Sequence, residues 1–242
     1  MPDLLHSSIV LLVSFVAATL AGVTGFGGAA VLLPVLVAIF GVREAIPILT
    51  IAQLAGNGSR VWFNRHELNW RVVGWFALGG VPTALLGGLF FARAPLAALT
   101  RLLGAFLIAI VIWRHLRPDA MWRPSLRAFA FIGAVSSFLS ALLGSVGPLM
   151  APFFLAYGLV KNAYIGTEAL ATVTMHVVKL VAYRNANVLP LHAVIVGLFL
   201  GPTMVLGSFT GKHIVQLLSP KVFVLLIEVT LVVAGALFLW KG

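Results

Sequence analysis

The sequence predicts an all-α fold: a polytopic membrane helix bundle of two five-segment repeats, inverted relative to each other, with 8 to 10 helical segments and short or re-entrant second helices. Three observations lead there. Of 242 residues 61% are hydrophobic and 9% are charged, with a mean hydropathy of +1.10, and no water-soluble domain has so little polar surface to cover itself. Apolar runs recur from Leu4 to Trp240 in the order long, short, long, long, long, and that order is given twice. The two copies also share residues at a near-constant spacing.

The first repeat, 1–113, holds Leu4–Gly22, Ala29–Gly41, Ala45–Phe63, Val72–Phe91 and Pro95–Trp113. A basic linker, 114–127, carries Arg114, Arg117, Arg123 and Arg127 and is assigned to the cytoplasm. The second repeat, 128–242, holds Ala128–Leu143, Pro148–Gly158, Ala163–Tyr183, Pro190–Phe209 and Val222–Trp240. Residues match at offsets of 117 to 120: Gly27 with Gly144, Pro34 with Pro152, Gly41 with Gly158, and Pro82-Thr83-x-x-Leu86-Gly87 with Pro202-Thr203-x-x-Leu206-Gly207. The second segments have 13 and 11 residues, roughly 20 and 16 Å of helix against a hydrocarbon core of about 30 Å. Each follows a Gly-rich break, so the first two segments of a half are expected to form a hairpin that dips into the membrane. The N-terminal run lacks a basic leader and reads as a retained helix.

An odd number of crossings per half makes the second unit inverted. That arrangement puts nine cations inside (Arg65, Arg71, Arg114, Arg117, Arg123, Arg127, Lys161, Lys212, Lys221) and five outside, against eight and six for repeats of one orientation. The positive-inside rule favours inversion. The 16 Lys and Arg against 6 Asp and Glu therefore set orientation; nucleic acid is not an expected partner. There is no cysteine, which excludes disulfides and thiolate metal sites, and no cofactor is expected. The expected location is the inner or plasma membrane, as a multi-pass protein.

Chemistry is concentrated in the third segments. Gln53, Asn57, Arg60 and Asn64, spaced 4, 3 and 4, fall on one helical stripe, as do Thr172, His176, Lys179 and Tyr183, with Glu168 one turn earlier. A uniform offset of 119 pairs Gln53 with Thr172, Asn57 with His176, and Arg60 with Lys179. Ionisable groups inside a membrane helix face a cavity or a polar partner, and two related cations suit an anion. Short helices that start after the breaks Thr24-Gly25-Phe26-Gly27-Gly28 and Gly144-Ser145-Val146-Gly147 would turn unpaired N–H groups toward the same ligand. Glu168 and His176 could couple protons, or Glu168 could form an ion pair with Lys179 or Arg60. Snorkelling of the two cations to the interface is the alternative for Arg60 and Lys179, and close helix packing the alternative for the glycines. Catalysis by Ser145 with His176 is disfavoured, since no Gly-x-Ser-Gly, His-Glu-x-x-His or Walker-type loop is present. An anion channel and a non-transporting scaffold subunit are the rival readings.

These residues resemble a known family, the sulfite exporter TauE/SafE membrane transporters. The resemblance rests on Gly22-Val-Thr-Gly25-Phe-Gly27-Gly28-x5-Pro34, on the echo Gly144-x-x-Gly147-x-x-x-Ala151-Pro152 followed by Gly166-Thr167, and on the duplicated layout. It implies a secondary transporter of sulfite, sulfonates and related organosulfur anions, with export the expected direction. The partners implied are a small inorganic or organic anion and the lipid bilayer, and a homo-oligomer is compatible with it. The second half departs from Gly-x-Gly-Gly at Val146 and Gly147, which leaves the two breaks unequal as ligand sites.

Overall fold

Two glycine turns organise the chain. The computed structural model describes residues 4–91, 101, 105, 108, 109, 112, 123–144 and 146–241. Helix α1 (Leu4–Thr24) ends at the first turn, where Gly25 and Gly27 take φ of 83° and 88°. This left-handed backbone is costly for any residue with a Cβ, and it reverses the chain into the short helix α2 (Gly28–Phe40). Gly144, with φ 86°, does the same between α5 (Ala128–Leu143) and the short α6 (Gly147–Ala156). The other helices whose ends lie among the described residues are α3 (Val42–Phe63), α4 (Trp70–Phe90), α7 (Lys161–Asn185), α8 (Leu191–Phe199), α9 (Gly201–Leu217) and α10 (Pro220–Lys241).

Among the described residues four segments are long and apolar enough to cross a membrane, namely Ser7–Thr24, Trp70–Phe90, Lys161–Asn185 and the α8–α9 run Leu191–Leu217, while α2, α5 and α6 are shorter. The expected segment Ala128–Leu143 coincides with α5. The expected Pro190–Phe209 is instead two helices that continue to Leu217, broken at Leu200 because Pro202 has no N–H to continue the ladder. Most of the expected fifth segment, Pro95–Trp113, lies outside the described residues, as does the linker up to residue 122.

Contacts at the helix ends set the directions. Asn162 Nδ2 donates to Glu67 Oε1 at 3.0 Å and Asn69 N to Thr167 Oγ1 at 3.0 Å, so α7 starts where α3 ends. Lys212 Nζ donates to the Phe63 carbonyl at 2.6 Å, so α9 also ends there. At the opposite end His192 Nδ1 lies 3.3 Å from Glu44 Oε2, joining the starts of α3 and α8. Helices α3 and α7, whose polar stripes match at the offset of 119, therefore run antiparallel. The other helices exchange partners: α1 packs mainly on α9, and α5 mainly on α4. Both contacts are glycine-mediated, as membrane helices favour. A Cβ on Gly87 would lie 2.6 Å from the Phe138 carbonyl oxygen, and one on Gly207 2.5 Å from that of Phe15. This brings the two glycine turns together in the middle of the bundle, against α3 and α7.

Candidate functional site

Arg60 sits one turn before the end of α3, and it does not reach outward. It is 5% exposed. Its Nη1 donates to the carbonyls of Ala21 at 2.8 Å and Gly25 at 2.5 Å, and its Nη2 donates to Asn57 Oδ1. The Ala21 carbonyl also accepts from Gly25 N at 2.9 Å, and the last carbonyls of a helix carry partial negative charge; Arg60 thus adds its positive charge at the end of α1. Lys179 does the same for α5. Wholly buried, its Nζ lies 3.2 Å from Ser140 Oγ and 3.0 Å from the Gly144 carbonyl, with His176 Nδ1 at 3.5 Å. Ala21 and Ser140, and Gly25 and Gly144, are each separated by the same 119 positions as Arg60 and Lys179. Protein encloses both cations, so neither snorkels.

A cavity of about 20 Å³ lies between the glycine turns, room for about one water. Gly25, Gly27 and Gly28 line it from the first turn and Gly147 from the second; Gln53, Asn57 and Arg60 line it from α3, and Glu168, Thr172 and His176 from α7. The N-termini of α2 and α6 both open on it, and neither has a side-chain cap. Small residues are required here. A Cβ on Gly28 would stand 2.7 Å from the Ala17 carbonyl oxygen and one on Gly147 2.7 Å from Phe26 Cβ.

The polar atoms are arranged unequally. Gln53 Nε2, Arg60 Nε and His176 Nε2 are buried without a hydrogen-bond partner, and so is Glu168 Oε2. Buried groups of this kind are few in folded proteins and call for an explanation. Glu168 Oε1 accepts from Thr172 Oγ1 at 3.0 Å, and its Oε2 lies 3.9 Å from Arg60 Nη1. Of the two ion pairs open to Glu168, the structure holds the one with Arg60. Lys179 donates to neutral groups, the Ser140 hydroxyl and the Gly144 carbonyl.

Ten of the residues expected to act on a ligand or a proton come together on this lining: Gly25, Gly27, Gly28, Gln53, Asn57, Arg60, Gly147, Glu168, Thr172 and His176. Three do not line it. Thr24 turns back onto its own backbone, donating to the carbonyls of Leu20 and Phe26, while Gly144 and Lys179 stand behind His176. Ser145 lies outside the described residues. Ser140, Met175, Met204 and Ser208 also line the cavity, and Tyr164 abuts Gly25. Ser140 carried a usable signal, since it stands 39 positions before Lys179 as Ala21 does before Arg60. The methionines and Tyr164 carried none, because apolar and aromatic residues fill most of this sequence.

The family model for Sulfite exporter TauE/SafE matches residues 10–238. No curated protein and no solved structure matches the chain significantly. Helices of membrane-crossing length surround a buried polar cavity, and the family match covers nearly every residue. The chain is a multi-pass membrane protein of the sulfite exporter TauE/SafE family, a family of membrane transporters.

Proposed function

We propose that this protein is a secondary transporter that exports sulfite or related organosulfur anions across the inner or plasma membrane. The observation that carries this is the set of unpartnered groups around the cavity, Gln53 Nε2, Arg60 Nε and His176 Nε2, together with two uncapped helix N-termini. Such groups suit the oxygens of a small anion, and the buried Arg60 supplies charge where water does not screen it. Lys179 adds positive potential from behind His176. The two halves, 1–113 and 128–242, joined by the linker 114–127, act as inverted repeats. Support for this comes from the antiparallel course of α3 and α7 and from the reciprocal partners of α1 and α5. Alternating access then follows from movement of one set of helices against the other about the cavity.

The test is flux of sulfite, sulfonates and carboxylates into vesicles carrying wild type, Arg60→Gln or Lys179→Gln. Arg60→Gln is expected to lower sulfite flux about tenfold or more, the scale of a lost charge-assisted hydrogen bond. Flux unchanged in both variants would remove the cations from the mechanism. Ohmic current without saturation would identify a channel, and no flux from the purified protein would identify a scaffold.

A further inference from the structure

A carboxylate in an anion site is a contradiction unless it leaves, or loses its charge, when the anion arrives. Glu168 is that carboxylate: it lines the cavity, is 2% exposed, and directs an oxygen without a hydrogen-bond partner toward Arg60 across the interface of α3 and α7. Resting on the anion-transport reading, we infer that Glu168 and the transported anion take turns as the counter-ion of Arg60, so that a proton travels with the anion. In the empty carrier the ionised Glu168 neutralises Arg60. When a monoanion enters, Glu168 takes a proton from water on the same side, becomes a neutral hydrogen-bond donor, and yields Arg60 to the anion. On the far side the anion leaves and the proton follows it to water. One proton and one monoanion cross together, outward whenever the outward gradient of the anion exceeds the inward gradient of protons, and the site carries the same net charge loaded and empty. That equality matters because moving an unpaired charge through a low-dielectric interior is expensive.

The surroundings of Glu168 leave this role to it. Arg60 faces it from α3; Tyr164, His176 and Lys179 accompany it on α7. The cavity linings from α1, α2, α5, α6 and α9 contribute no charged or titratable side chain among the described residues. Thr172 holds Oε1 at 3.0 Å and fixes the carboxyl in place while Oε2 exchanges partners.

The experiment compares wild type and Glu168→Gln in proteoliposomes, with radiolabelled sulfite as probe and two readouts: exchange of external for internal sulfite at equal pH, and net uptake driven by an inward proton gradient. Gln imitates the protonated acid, so the loaded carrier still crosses. Net uptake is expected to fall by about a hundredfold, far more than exchange does, since the empty carrier must return with Arg60 unpaired. A merely structural role for Glu168 would lower both readouts together, and that result overturns the proposal. So does net uptake preserved in Glu168→Gln, which would show that the proton enters on sulfite itself, as bisulfite. Should wild type exchange sulfite but ignore the proton gradient, coupling fails and anion transport stands. Should wild type exchange no sulfite, the transport reading fails first. A single symmetric peak on size exclusion establishes that the variant is folded.

Discussion

Arg60 and Lys179, 119 positions apart, hold the same place in opposite halves of the molecule: each closes the C-terminal end of the helix that leads into a glycine turn. Arg60 does so through the carbonyls of Ala21 and Gly25, Lys179 through the Ser140 hydroxyl and the Gly144 carbonyl. Only Arg60 also reaches the cavity, and only Arg60 faces Glu168. A shared structural place in two halves thus coexists with a cavity-facing position in one.

Lys179→Met tests the structural duty. The replacement keeps the length of the side chain but leaves the Gly144 carbonyl and Ser140 hydroxyl without their donor. A loss of about 1–3 kcal/mol is expected, read as a lowered thermal midpoint in detergent. Since Lys179 lies behind the lining, the KM for sulfite should rise less than in Arg60→Gln. An unchanged midpoint would mean that water replaces the ammonium at no cost.

Two glycine variants should diverge. In Gly25→Ala the new Cβ would collide with the Tyr164 ring, at a backbone angle of +83° that disfavours any side chain. Destabilisation of at least about 1–2 kcal/mol is expected from the backbone alone. Gly58→Ala, within α3, places a Cβ where nothing lies within 4 Å and should gain up to about 1 kcal/mol from helix propensity, with sulfite flux unchanged. Thermal unfolding of the two variants checks both; equal midpoints would contradict the conformation of the turn.

Topology can be read directly because the chain has no cysteine. Arg65→Cys and Lys161→Cys should be labelled by a membrane-impermeant maleimide from the same face, and Arg184→Cys from the other. The hydrogen bond between Glu67 and Asn162 requires the first pair to share a face. Labelling of Lys161→Cys and Arg65→Cys from opposite faces would refute the inverted arrangement.

How much was legible in the sequence varies with the kind of information. Helix α5 was readable to the residue, because an uncharged, mostly apolar run between Arg127 and Gly144 has clear ends. The end of α9 was not, since Gly211, Lys212 and His213 read as an interruption. In the fold Gly211 is needed for contact with Gly22, and the Lys212 ammonium is held by the Phe63 carbonyl. Polarity that marks a helix end in isolation is absorbed here by a neighbouring helix.

By itself, the sequence determined that the chain lives in a membrane, that its polar side chains fall on single faces of two related helices, and that those faces carry one cation each. Hydropathy and a 3.6-residue period are local properties, and they suffice for that. Tertiary structure decided which of these groups meet. Glu168 reaches Arg60 because α3 and α7 run antiparallel, and Lys179 is drawn to the end of α5 rather than into the cavity. Partners of this kind are chosen by the packing of helices far apart in the chain, where no spacing along one helix can specify them.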